Sequence, residues 1–90
     1  MKLPETVQIG PHVYRIQQVV RLKAAGDRQS LWGHIQHDTL TISIERELSP
    51  TQQAVTLLHE ILHGIDSLGS LDLSETVLNT LASGLVDVIQ

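Results

Sequence analysis

Residues 49–69 read SPTQQAVTLLHEILHGIDSLG, and this stretch decides the fold of the second half of the chain. Ser49 can cap a helix N-terminus, and Pro50 suits the first helical position. Apolar residues then recur at spacings of three and four, which predicts an amphipathic helix that ends near Gly69. The predicted buried stripe of this helix consists of Ala54, Leu58, Ile61, Ile65 and Leu68.

The residues before this helix favour short β-strands. Residues 7–9 and 13–19 have extended-chain composition on either side of Gly10-Pro11, which predicts a hairpin whose second strand can extend towards Leu22. Residues 24–30 are small and polar and are predicted to form a loop.

Two further strands are predicted before the helix. Residues 31–37 are predicted to form the third strand, turned at Asp38. Leu40, Ile42 and Ile44 then alternate with polar residues, which predicts a fourth strand with one buried face and one solvent-facing face.

A second helix is predicted after Gly69. Asp72 is followed three residues later by Glu75, a spacing similar to a capping box. Gly84 lies inside this helix, where close contact with another helix is the simplest reason for a glycine. The predicted buried stripe consists of Leu78, Leu81, Leu85 and Val88.

The order of elements predicts an α+β fold, with about four short N-terminal β-strands followed by two helices. At 90 residues the chain is expected to be one domain, with a β-rich part over residues 1–48 and a two-helix part over residues 49–90.

The amino-acid composition of the chain argues against several classes of function. The net charge is −4 and the six Lys and Arg residues are scattered, so nucleic acid is not an expected partner. The sequence has no long apolar run, so neither membrane insertion nor a signal peptide is expected, and the cytoplasm is the expected location. Because the chain has no cysteine, any metal site must be built from histidines and carboxylates.

The first helix contains the spacing of a zinc site. Residues four apart on a helix lie on one face, so His59 and His63 can direct their imidazole nitrogens at one ion. Glu60 lies about 100° further round the helix. It is therefore not expected to be a ligand, but it can reach a water on the metal, which is the position of a general base.

A catalytic zinc site commonly has a third protein ligand. Glu75 is favoured, because it flanks the apolar stripe of the second helix as the histidines flank that of the first. The alternative is that Glu75 caps its own helix or faces solvent. Asp66 lies one turn beyond His63 and is a secondary candidate, more simply explained as a partner of a ligand or a solvated carboxylate. Tyr14 is a secondary candidate for stabilising an oxyanion, with packing in the sheet as the simpler explanation. Trp32 is most simply a packing aromatic.

Two segments of the chain resemble a known group of enzymes. Residues 56–65, TLLHEILHGI, resemble the zinc-binding helix of zincin metallopeptidases, and residues 73–79, LSETVLN, are similar to the glutamate-bearing helix of the gluzincin branch. In its size and order of elements the chain resembles minimal gluzincins and the ImmA/IrrE-like metallopeptidases often encoded by phages and mobile elements. The metzincin pattern does not fit, because Asp66 and Gly69 stand where that pattern has a glycine and a third histidine.

The resemblance implies a zincin-like fold and one zinc ion per chain, held by His59, His63 and Glu75. It also implies that Glu60 activates a zinc-bound water to hydrolyse a peptide or protein substrate, aligned by Ile42 or a neighbouring strand. The alternative is a zinc-stabilised, non-catalytic binding or structural module of phage or mobile-element origin. The sequence makes no prediction of oligomeric state.

Overall fold

The computed structural model describes residues 3–22 and 32–89 as an α+β arrangement of four strands followed by two helices. The strands are β1 (Thr6–Ile9), β2 (His12–Val19), β3 (Gly33–Gln36) and β4 (Thr41–Glu45). The helices are α1 (Pro50–Gly69) and α2 (Glu75–Ile89). The predicted fold class and order of elements are confirmed at this level.

The strands form one mixed sheet in the order β1-β2-β4-β3. β1 and β2 make the predicted antiparallel hairpin, and Gly10 at its turn has a left-handed φ of 58°. β2 pairs with β4 in parallel, and β4 pairs with β3 in antiparallel orientation, so β3 is an edge strand. β2 ends at Val19 and does not extend to Leu22. The predicted loop at residues 24–30 and the start of the predicted third strand at Leu31 lie outside the described residues.

The expectation that β4 has one solvent-facing side is wrong. β4 lies between β2 and β3, and all five of its residues are buried. The polar side chains on it find partners: Ser43 Oγ accepts a hydrogen bond from Gln17 Nε2 at 2.8 Å, and the Glu45 carboxylate accepts one from the backbone N–H of Leu22 at 2.9 Å. Period-two alternation therefore located the strand correctly but did not show that its polar side is covered.

α1 begins at the predicted position. The Ser49 side chain accepts a hydrogen bond from the backbone N–H of Gln52, and the Gln52 side chain accepts one from the backbone N–H of Ser49. Pro50 occupies the first turn. α1 packs on the sheet, where Leu57 joins the core cluster. The other members of that cluster are Ile9, Tyr14, Ile42 and Ile44.

The buried face of α1 is rotated from the predicted stripe. Ile65 and Leu68 are exposed, whereas Thr56, Glu60 and Gly64 are buried. Gly64 explains part of the rotation. A Cβ there would lie 2.7 Å from Ile9 Cδ1, so the absence of a side chain at Gly64 lets α1 lie close to the sheet at this point.

α2 begins at Glu75, and the predicted capping role of Asp72 is wrong. Asp72 has a left-handed φ of 56°, and it is Ser74 Oγ that accepts a hydrogen bond from the Val77 backbone N–H at 3.2 Å. The predicted stripe is also wrong beyond its first residue. Leu78 is buried together with Ala82 and Val86, whereas Leu81, Leu85 and Val88 are exposed.

α2 packs against α1 and, within the described residues, makes no close backbone contact with any strand. The sheet, α1 and α2 are therefore stacked in that order. Neither helix in the described part of the chain is long and apolar enough to cross a membrane.

Candidate metal centre

The cleft between α1 and α2 contains the histidines of the first helix. His59 and His63 are one helical turn apart and partly buried, with side-chain exposures of 16% and 30%. Leu57 and Gly64 pack on the sheet, so the two histidines project from the side of α1 that faces α2.

The connection between α1 and α2 places Glu75 beside His59 and His63 in this cleft. Asp66 Oδ1 accepts a hydrogen bond from the Leu73 backbone N–H at 3.1 Å, and the left-handed Ser70 lets the chain reverse direction. Ser74 then caps α2, so that Glu75 is its first residue. Asp66, near the end of α1, thus stabilises the connection between the helices, and the structure does not bring it into the cluster formed by the histidines and Glu75.

The three side chains converge. The Nε2 atoms of His59 and His63 lie 3.0 Å apart; one Glu75 oxygen is 3.3 Å from His59 Nε2, and the other is 3.0 Å from His63 Nε2. All three ligating atoms lie within 4.8 Å of one another. The structure therefore brings together the three residues predicted to be metal ligands.

With Glu75 ionised, no placement of protons turns all three contacts into hydrogen bonds. If each Nε2 carries a proton for Glu75, two N–H groups meet at 3.0 Å; if one Nε2 is bare, its lone pair faces a carboxylate oxygen. A cation between them would interact favourably with all three lone pairs. Two imidazole nitrogens and a carboxylate are also a donor set that zinc commonly takes, so the residues fit that ion.

The electrostatics of His59 suit a metal ligand. Burial lowers the pKa of His59, and the neighbouring His63 lowers it further, while Glu75 and a hydrogen bond with Asn79 act in the opposite direction. A lowered pKa favours the neutral imidazole, which is the form that binds metal.

Glu60 projects from α1 beside this cluster, towards β3. It is only 6% exposed, and burial, followed by the charge of Glu75, raises its pKa to about 7. A Cβ at Gly33 would lie 3.1 Å from Glu60 Oε2 and 2.5 Å from Thr56 Cγ2, so the first residue of β3 rests directly on this part of α1. A carboxyl group with a pKa near neutrality is suited to exchanging protons.

A cavity of about 360 Å³ opens at this position. His59, Glu60 and Glu75 line it together with residues that the HEILH motif and its spacing do not indicate. Trp32, predicted to be a packing residue, is 54% exposed at its wall. Asn79 also lines the cavity, one turn beyond Glu75 on α2, and acts to raise the pKa of His59. The spacing of four between Glu75 and Asn79 was the available signal for Asn79, because it places both side chains on one face of α2.

Two expected residues lie away from the cavity. Tyr14 is 4% exposed and its hydroxyl is 3.0 Å from His37 Nδ1, in a separate cavity near the C-terminal end of α1. It joins the core cluster, in line with the simpler of the two explanations for it. Ile42 is fully buried in a central strand, so it cannot align a substrate.

Comparisons with protein-family models, with curated proteins and with solved structures found no match to this chain. Its function is therefore inferred from the geometry of the cleft.

Proposed function

We propose that the protein is a zinc metallopeptidase of the zincin type, with His59, His63 and Glu75 as the ligands of one zinc ion. The observation that carries the proposal is the convergence of two Nε2 atoms and a carboxylate, in contacts that protons alone cannot satisfy while Glu75 is ionised. The order of strands and helices and the HEILH motif make the ImmA/IrrE-like group of the gluzincin branch the family proposed for the chain.

Zinc bound there supplies Lewis acidity, which polarises a carbonyl group and lowers the pKa of a water. Glu60 is proposed as the general base. It takes a proton from the attacking water and passes it to the leaving amine nitrogen, and its raised pKa lets it hold that proton in between. Asn79, which lines the cavity with His59, is proposed to orient this imidazole.

We propose that β3, rather than Ile42, aligns the peptide substrate. Among the described residues it is an edge strand, and its first residue, Gly33, lies against Glu60. An extended peptide can add to a free strand edge through main-chain hydrogen bonds, which would bring a peptide bond close to the cavity.

The test compares the wild-type protein with Glu60→Gln, each loaded with one equivalent of zinc. A peptide mixture of diverse sequence serves as the substrate, and mass spectrometry detects the products. We expect cleavage by the wild type to fall by about 10²–10⁴-fold in Glu60→Gln, with zinc retained. Glu47→Gln removes an exposed carboxyl elsewhere and is expected to leave cleavage unchanged.

The alternative is a zinc-stabilised module without catalysis. It would be favoured if zinc binds and stabilises the fold while the wild type cleaves no peptide at any pH. Equal turnover by the wild type and Glu60→Gln would contradict the proposed role of Glu60 even if cleavage is observed.

A further inference from the structure

The cavity at the metal centre continues along both helices, beyond the proposed zinc ligands. The short connection over residues 70–74 makes α1 and α2 antiparallel, so the cleft runs back along α1 and forward along α2. Val55 lies one turn before His59, and Ser83 lies about two turns after Glu75. All four residues line the cavity. Because residues four apart share a helix face, Val55 and Ser83 extend the two rows of side chains that contain the zinc ligands.

Trp32 contributes to the lining from outside the helices. It precedes β3, and its carbonyl accepts a hydrogen bond from the Glu45 backbone N–H at 2.8 Å, which holds this part of the backbone against β4. Trp32 lines the same cavity and is 54% exposed. We call the part of the cavity lined by Trp32, Val55 and Ser83 the distal pocket.

The distal pocket is uncharged. Among the described residues that line the cavity, the ionisable ones are His59, Glu60 and Glu75, and all three belong to the proposed zinc site. A negatively charged group in the pocket would be repelled by the two carboxylates. A positively charged group would find no free carboxylate as a partner, and burying an unpaired charge is costly. Trp32 and Val55 offer apolar surface instead, which favours an apolar group.

The distal pocket is continuous with the metal centre. The whole cavity has a volume of about 360 Å³, which is near the lower end of the range of about 300–1,000 Å³ for pockets that bind small ligands. A group held at the zinc therefore has its neighbouring side chain within reach of the pocket. We propose, on the basis of the proposed peptidase function, that the distal pocket binds an uncharged apolar side chain of the substrate next to the cleaved bond. Trp32, Val55 and Ser83 are then the residues that determine specificity.

Hydroxamates test the distal pocket without any need for catalysis, because the hydroxamate group chelates zinc and carries its substituent into the cavity. Zinc-loaded wild-type protein is titrated by calorimetry with hydroxamates that carry an isobutyl group, a carboxymethyl group or only a methyl group. We expect the isobutyl compound to bind at least about tenfold more tightly than either of the others, since an apolar pocket discriminates by this amount for small differences in apolar size.

Trp32 also provides a direct signal, because it is the only tryptophan of the chain. Its fluorescence emission is expected to shift to shorter wavelengths when the isobutyl compound binds and covers the indole, and to change little with the methyl compound. Trp32→Ala should reduce the preference for the isobutyl compound, whereas Trp32→Phe retains an aromatic wall and should keep most of it.

Ser83→Phe is designed to fill the distal pocket. It is expected to remove the preference for the isobutyl compound over the methyl compound, while zinc stoichiometry and the affinity for the methyl compound stay unchanged. Leu81→Phe is the matched control. It places the same ring on an exposed position about 160° around α2 from Ser83, outside the cavity, and should keep the full preference.

The outcomes separate this inference from the proposed function. Equal affinities for the isobutyl and methyl compounds, or the same preference in Ser83→Phe and Leu81→Phe, would overturn the distal pocket and leave the proposed zinc site standing. A wild-type protein that binds neither zinc nor any of the hydroxamates would instead contradict the proposed function, and the distal pocket would fall with it.

Discussion

Each residue of the proposed zinc site depends on a specific neighbour. The pair His59 and His63 could be predicted from spacing alone, because two residues one turn apart share a helix face whatever the tertiary structure. Glu75 was predicted from its position beside an apolar stripe, although most of that stripe proved to be exposed. The approach of Gly33 to Glu60 could not be predicted, because it depends on how β3 lies on α1.

Gly33→Ala tests this approach. The added Cβ would lie 2.5 Å from Thr56 Cγ2, so β3 has to move away from α1. We expect a loss of about 1–3 kcal/mol in the free energy of unfolding, measured by urea denaturation. Gly84→Ala is the matched control, since a Cβ there meets no atom of the described residues within 4 Å, and it should be neutral or stabilising. Equal losses in both variants would contradict the close approach of β3.

Glu45 predicts a pH dependence of stability. Hydrogen bonds from the backbone N–H groups of Glu47 and Leu22 lower its pKa from the ordinary value of 4.5. Because the folded pKa lies below the unfolded one, this contribution to stability is present above about pH 4.5 and is lost as pH falls through the folded pKa.

The measurement is the melting temperature of wild-type protein and Glu45→Gln between about pH 3 and pH 7. We expect the wild type to be the more stable protein near pH 7, with the difference shrinking as the solution is acidified. A difference that stays constant over this range would show that the folded protein does not lower the pKa of Glu45.

At the scale of secondary-structure elements, the start of a helix could be predicted where several capping signals in the sequence agreed. Ser49, Pro50 and Gln52 all mark one helix start, and α1 begins there. At α2 the capping signals conflicted. Asp72 and Glu75 have the spacing of a capping box, but the residue that caps the helix is Ser74. The buried face of α2 could not be chosen from the sequence. Val77 and Leu81, like Leu78 and Ala82, are apolar at helical spacing, and only packing against α1 decides between them.

Ser74→Ala tests the link between the start of α2 and the metal centre. Losing the cap should lower the free energy of unfolding by about 1 kcal/mol. Because Glu75 is the next residue, fraying there should also weaken zinc binding, which calorimetry measures. Thr80→Ala, in the middle of α2, should affect zinc binding little. Unchanged zinc affinity in Ser74→Ala would mean that Glu75 does not need an ordered helix start.

On the scale of the whole molecule, α2 contacts the rest of the described fold through α1. The proposed zinc ligands come from both helices, so the ion would join the outer layer of the molecule to the middle one. Binding energy of this kind adds to the stability of the folded state, which suits a domain of 90 residues.

The most direct test of the account is the stoichiometry of zinc in chelator-stripped protein titrated near neutral pH, with His63→Ala and Glu75→Ala measured alongside. We expect one zinc per chain for the wild type, and binding that is lost or much weakened in both variants. No zinc bound by the wild type, or the same binding in all three proteins, would contradict it.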